Sequence, residues 1–243
     1  MHHEAHGWHS PIMGLDMPVK IHGHYGTPLL IFPTSGDSTD DYENHSMLGA
    51  LGHHLEAGRI KLFCPRSINN QSWFDDSLDP AEKARRETLY DRYVIEELVP
   101  FIHHQCGGAV PICSVGSSFG TYHAMNELLK HPDVFRWNIC MSGLYDIRRY
   151  TGDFQNDDVY FNNPPQYAPN LHDAGIRQAL DGCSINIISG QGPWEHVDWS
   201  QAMSDSLAQA GIRHNLDLWG FDVAHDWPWW KKQLNHYIPM LFG

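Results

Sequence analysis

The sequence predicts an α/β protein with a mostly parallel central sheet and helices on both faces. Short apolar runs, among them Pro28–Phe32, Ile60–Cys64, Val110–Val115 and Ile185–Ile188, alternate with longer amphipathic stretches, the pattern of strands joined by crossover helices. The 243 residues are 42% hydrophobic and 12% aromatic, a mixture that supports a large core and excludes disorder or a fibrous repeat. No internal repeat or low-complexity tract divides the chain, so a single domain over residues 1–243 is expected.

Each element follows from local pattern. Residues Trp8 to Gly23 read as two short strands around a turn at Gly14-Leu15-Asp16. Pro28–Phe32 is a buried strand ending in the turn formers Pro33-Thr34-Ser35-Gly36-Asp37. A helix over Met47–Ala57 stops at Gly58, and Ile60–Cys64 is the next strand, closed by Pro65. A polar loop, Ser67 to Pro80, carries Trp73 and Phe74. Pro80 then opens a long helix to about His104, whose last turns Pro100 should distort. On that helix Lys83, Arg85, Arg86 and Arg92 read as a solvated face paired with Glu82, Glu87 and Asp91.

Val110–Val115 is a strand, Thr121–Lys130 a helix ended at His131-Pro132, and Asn138–Met141 another strand. Residues 144–173, rich in Asn, Asp, Pro and Tyr, have little periodicity and read as a lid or pocket-wall insertion. Ile185–Ile188 and Asn215–Trp219 complete the strands; Trp199–Ala210 and Trp227–Met240 complete the helices.

Charge excludes several partners. Sixteen basic against 29 acidic residues leave a formal charge of −13, which repels nucleic acid and anionic lipid. Apolar runs fall far short of the roughly 20 residues a bilayer span needs. The start, Met1-His2-His3-Glu4-Ala5-His6, has neither the basic nor the apolar part of a signal peptide, so a cytoplasmic location is expected. Five cysteines without a C-x-x-C pair give no disulfide framework or thiolate zinc site, and Cys64, Cys113 and Cys140 read as buried hydrophobes.

No nucleotide-binding motif is present and no cofactor is expected. His2, His3, His6 and His9, with the pairs His53-His54 and His103-His104, lack the helical i, i+4 spacing of a zinc site. The terminal ones read as exposed and disordered, and no metal is expected.

The chemistry-bearing motif is Gly116-x-Ser118-x-Gly120, set between an apolar strand and a helix. That context makes it a nucleophile elbow, a sharp strand-to-helix turn exposing the Ser118 hydroxyl, with glycines where side chains would collide. A serine hydroxyl needs a base, expected in the loop after the last strand, where His225 stands; His236, in the last helix, is the rival. The acid should follow the preceding strand. Glu195 is favoured, before Asp198, Asp222 and Asp146, because Asp198 reads as a helix cap. Asp226 reads as a structural carboxylate beside the last helix. Two N–H donors must meet the oxyanion, one from Phe119 and one from Ser35 or Gly36, with Ser35 preferred.

With those residues in view, the chain resembles the putative-esterase family of α/β-hydrolases, the group of esterase D-like and mycolyltransferase-like folds. The likeness rests on Phe32-Pro33-Thr34-Ser35-Gly36, Gln71-Ser72-Trp73, Glu96-Glu97-Leu98-Val99-Pro100, Gly116–Ala124, His131–Phe135 and His225-Asp226-Trp227. The elbow and the His-Asp-Trp ending are its specific parts. The resemblance implies an α/β-hydrolase fold with Ser118 as nucleophile, His225 as base and Glu195 as acid. Relatives commonly carry Asp at the acid position, and mycolyltransferases carry Glu. Many relatives also carry His-Gly where this chain has Pro33-Thr34.

The expected activity is hydrolysis of a small or medium uncharged ester through a Ser-His-Glu triad and an acyl-enzyme. Acyl transfer, thioester hydrolysis and a non-catalytic ligand-binding role are the alternatives. Trp73, Trp194 and Tyr160 are candidates for the pocket edge, and Trp219, Trp227, Trp229 and Trp230 cluster in sequence around His225.

Overall fold

A computed structural model describes residues 2–243; Met1, the first residue of the expected domain, lies outside them. Eight strands form one sheet: β1 (His3–Ser10), β2 (Leu15–His22), β3 (Thr27–Phe32), β4 (Ile60–Pro65), β5 (Ile112–Ser117), β6 (Phe135–Met141), β7 (Ser184–Ser189) and β8 (Asn215–Leu218). Their order is β1-β2-β4-β3-β5-β6-β7-β8. The β1–β2 and β2–β4 pairs are antiparallel, and every other pair is parallel. The expected mostly parallel sheet is what the chain builds.

Strand alternation places helices on both faces. Leu30 and Phe32 of β3 point into one apolar layer, Leu29 and Ile31 into the other. The first layer is closed by α3 (Pro80–Tyr93), α4 (Val99–Gln105), α5 (Gly120–Lys130), α9 (Ala174–Leu180) and α10 (Val197–Gln209). The second is closed by α1 (Asp41–Asn44), α2 (Met47–Glu56) and α11 (Trp227–Phe242). Cys64, Cys113 and Cys140 are buried, as expected. Among the described residues no helix is long and apolar enough to cross a membrane.

Four regions depart from the sequence reading or refine it. The terminal histidines are not a disordered tail: His3, His6 and His9 lie in β1, paired residue by residue with β2. The long helix breaks at a π-turn, Val94–Leu98, between α3 and α4. Pro100 has no N–H for the Glu96 carbonyl, and the wider turn just upstream absorbs the loss. The solvated basic face holds only in part. Arg85 and Arg86 pair with Glu82 and Arg92 with Glu96, but Lys83 and Glu87 are buried, because α3 turns them against Trp73 and α5. Residues 144–173 contain α6 (Arg148–Thr151), α7 (Asp157–Phe161) and α8 (Pro164–Tyr167), too short to leave a period in the sequence. Leu144, Ile147 and Val159 join Trp73, Phe119 and Tyr122 in a third apolar cluster that fixes this segment beside α5.

Candidate active site

The end of β5 and the start of α5 meet at a sharp turn centred on Ser118. Ser118 has φ +54°, a left-handed backbone that costs an L-residue about 1–3 kcal/mol. A Cβ on Gly116 would overlap the Gly120 carbonyl group, and one on Gly120 would overlap the Phe32 carbonyl of β3. Glycine is therefore a steric requirement at both positions. The strained turn is held by Ser118 N–H donating to Met141 O at 3.0 Å, and by Thr121 Oγ1 donating to Ser118 O at 2.6 Å.

His225 arrives from the loop between β8 and α11. Its backbone N–H donates to Pro193 O at 3.1 Å, while Asp226 caps α11 through a 2.7 Å bond from Trp227 N–H. The imidazole Nε2 lies 2.9 Å from Ser118 Oγ, and the ring stands edge-on to Trp230. With the serine hydroxyl donating to Nε2, Nδ1 carries the other proton and faces Glu195.

Glu195 sits in the loop after β7 with its side chain 1% exposed, and Oε2 lies 3.7 Å from His225 Nδ1. Closer partners hold it. Oε1 accepts from Ser142 Oγ at 2.6 Å and from Gly190 N–H at 3.2 Å. Trp230 Nε1 donates in turn to Ser142 Oγ at 2.9 Å. The acid and histidine loops are themselves joined, Gly192 N–H donating to Val223 O at 2.9 Å.

The other acid candidates lie apart from this constellation. Asp198 is exposed in the first turn of α10, whose N-cap is His196 rather than Asp198, and Asp222 is exposed. Asp146 is bound by Arg148 and Asn163. His236 lies on α11 against Trp219.

Ser35, Ser118, Phe119 and His225 line one cleft of ≈ 230 Å³, together with Phe74, Tyr150, Trp194 and Trp199. Phe119 is the N-cap of α5, at the helix end where the first backbone N–H groups have no carbonyl of a preceding helical turn to meet. On the opposite side, Asn69 Nδ2 donates to Thr34 O at 3.1 Å, and Thr34 N–H donates to Asp41 Oδ2 at 2.8 Å. In a trans peptide the C=O and N–H point opposite ways. With the Thr34 carbonyl turned toward Asn69, the Ser35 N–H is turned away from it.

Asn69 is itself fixed by a buried group, His123, whose Nε2 lies 2.8 Å from Asn69 Oδ1. Burial pushes the His123 imidazole down to about 3 and the neighbouring Glu87 carboxyl up to about 8, so both are neutral at pH 7. They form a neutral pair rather than an ion pair. Sequence reasoning missed Asn69 and Ser142, whose spacing relative to the elbow carries no signature.

A second groove of ≈ 840 Å³ adjoins the cleft, sharing Leu144, Arg149 and Trp199 with it. Arg149 lies over the rings of Tyr150 and Trp199 at 5.5 and 5.3 Å. The described groups with metal-ligand spacing, His3–His22–Glu43 and Asp91–Glu127–His131, both lie outside the cleft.

A profile of the protein family described as "Putative esterase" matches residues 10–241. Among curated proteins none matches the chain. Solved structures similar to it include MPT51 (FbpC1) of Mycobacterium tuberculosis, at 16% identity and TM-score 0.73, over 100% of this chain and 98% of that one. A ferulic acid esterase aligns at 17% identity and TM-score 0.72, over 99% and 97%. The S-formylglutathione hydrolase FrmB of Staphylococcus aureus aligns at 16% identity and TM-score 0.66, over 100% and 96%. At these identities the likeness is one of fold, and it is the α/β-hydrolase fold.

Proposed function

The chain belongs to the Putative esterase family of α/β-hydrolases, and on that premise we propose that it hydrolyses small or medium carboxylic esters through Ser118, His225 and Glu195. The observation that carries the reading is the 2.9 Å approach of Ser118 Oγ to His225 Nε2 at a turn strained to φ +54°. Strain of this kind persists where the surrounding structure over-determines it, and here it aims a hydroxyl at a base.

In this reading Ser118 Oγ adds to the ester carbonyl while His225 Nε2 takes its proton. The buried Glu195 carboxylate stabilises the imidazolium and holds Nδ1–H in place. Backbone N–H groups of Phe119 and Ser35 receive the oxyanion, the latter aimed by the bond between Asn69 and Thr34 O. Collapse breaks the bond to the alkoxy oxygen, which leaves with the proton from Nε2. Water, deprotonated by His225, then adds to the acyl-enzyme; the bond to Ser118 Oγ breaks, Oγ takes the proton back from Nε2, and the carboxylic acid leaves. The ≈ 230 Å³ cleft takes the acyl group, and the ≈ 840 Å³ groove beyond Arg149 takes the alcohol. Residues 144–173 act as a fixed wall of that groove.

Labelling with a fluorophosphonate probe, mapped to a peptide, tests the reading. Stoichiometric modification of Ser118, abolished in Ser118→Ala, is the expected result. A folded protein that takes no label at Ser118 overturns it.

A further inference from the structure

Away from the cleft, the sheet edge brings together residues that the ester chemistry does not use. The β1–β2 register sets His3 directly opposite His22. Their Nδ1 atoms face each other at 3.1 Å, and Glu43 Oε1, from α1, lies 3.7 Å from His3 Nδ1. All three ligand atoms fall within 4.8 Å of one another. Two Zn–N bonds of about 2.05 Å at a tetrahedral angle place their nitrogens about 3.3 Å apart. The histidine pair already stands near that spacing.

The surroundings suit a dication. His22 is 1% exposed and its Nε2 is buried without a hydrogen-bond partner among the described residues, so Nδ1 is the polar outlet of the ring. The other Glu43 oxygen accepts from Lys20, which also bridges to Asp40 at 2.6 Å. One ammonium against two carboxylates leaves a net charge of −1 beside the imidazoles, within a chain of formal charge −13. Imidazole and carboxylate together suit zinc better than calcium or magnesium, which prefer all-oxygen sets.

We propose that His3 Nδ1, His22 Nδ1 and Glu43 bind one Zn²⁺, with water completing the tetrahedron, and that the ion ties β1 and β2 to α1. None of the three residues lines the Ser118 cleft. The role is structural, a link between the N-terminal strand and the helix that follows the oxyanion loop.

The test uses untagged full-length protein stripped with a chelator, titrated with ZnCl₂ by calorimetry and followed by thermal unfolding. One equivalent should bind, and zinc at about a hundred times its Kd should raise Tm by about 5–10 °C. His3→Ala, at a partly exposed position that tolerates truncation, should abolish that shift, and Glu43→Gln should weaken binding by about tenfold or more. His9→Ala, whose exposed ring contacts Asp16 instead, should bind zinc as the parent does. Absence of stoichiometric binding overturns the proposal. So does zinc binding that His3→Ala leaves intact, which would assign the ion to other histidines.

Discussion

The closest hydrogen-bond partner of the Glu195 carboxylate is the Ser142 hydroxyl, at 2.6 Å, while the His225 Nδ1 it faces lies 3.7 Å away. Ser142 is buried with φ +56° and takes the Trp230 indole N–H on its other side. The carboxylate is thus anchored from behind. Ser142→Ala leaves the indole N–H unpaired and removes the shorter of the two bonds to Oε1, leaving the 3.2 Å bond from Gly190 N–H. We expect a loss of about 1–3 kcal/mol in stability and about a tenfold fall in kcat with KM little changed. Denaturant unfolding and steady-state kinetics check this, and wild-type kcat would mean that Glu195 needs no such anchor.

Glu195→Gln removes the negative charge behind the imidazole while keeping volume. We expect kcat to fall by roughly 10²–10⁴-fold, with Asp198→Asn and Asp222→Asn near wild type because both carboxylates are exposed and apart from His225. Equal activity in all three variants would take Glu195 out of the mechanism.

Ser118→Ala deletes one oxygen and keeps the left-handed backbone at the cost serine already bears. Its fold should survive and kcat should drop by at least about 10³-fold. Gly120→Ala should instead destabilise the chain, because its Cβ meets the backbone carbonyl of Phe32, which cannot move without shifting β3. Soluble yield and Tm separate the two effects.

What the sequence could reveal depended on whether a requirement left a pattern. Strands buried on both faces left apolar runs, and the elbow left two glycines because any Cβ there meets backbone. Ser142 and Asn69 act through single hydrogen bonds across the fold, and a serine or asparagine in a loop has many ordinary uses. Lys83 departs from its expected solvated face for a related reason. Its charge suggested water, yet the turn of α3 sends its ammonium to the Trp73 carbonyl at 3.2 Å. The helices of residues 144–173 run four or five residues, less than two turns, so no apolar period could develop.

Asn69→Ala releases the Thr34 carbonyl and with it the direction of the Ser35 N–H. The expected signature is a fall in kcat of about tenfold or more with KM within about twofold, together with weakened binding of a boronic acid that mimics the tetrahedral oxyanion. A role confined to folding would lower Tm and spare both. Fluorophosphonate labelling at Ser118 in the variant would show that the Ser118–His225 pair remains assembled.

The buried pair behind that asparagine sets a pH dependence. Folded Glu87 keeps its proton up to about pH 8, whereas the unfolded carboxyl loses it near 4.5. Between those values the folded state binds more protons, so this group makes stability fall as pH rises. His123 has the opposite sign. It stays neutral down to about 3 when folded and takes a proton near 6.5 when unfolded, so its contribution is lost as pH drops below 6.5. Glu87→Gln keeps a neutral side chain of the same shape beside Ser72 and removes only the alkaline arm. The variant should therefore gain Tm over the parent near pH 8, by about 2–4 °C for each kcal/mol recovered, and the gain should shrink toward nothing near pH 5. A difference that stays constant from pH 5 to 8 would mean that Glu87 is not buried as the neutral acid, and that Asn69 is backed by a charge.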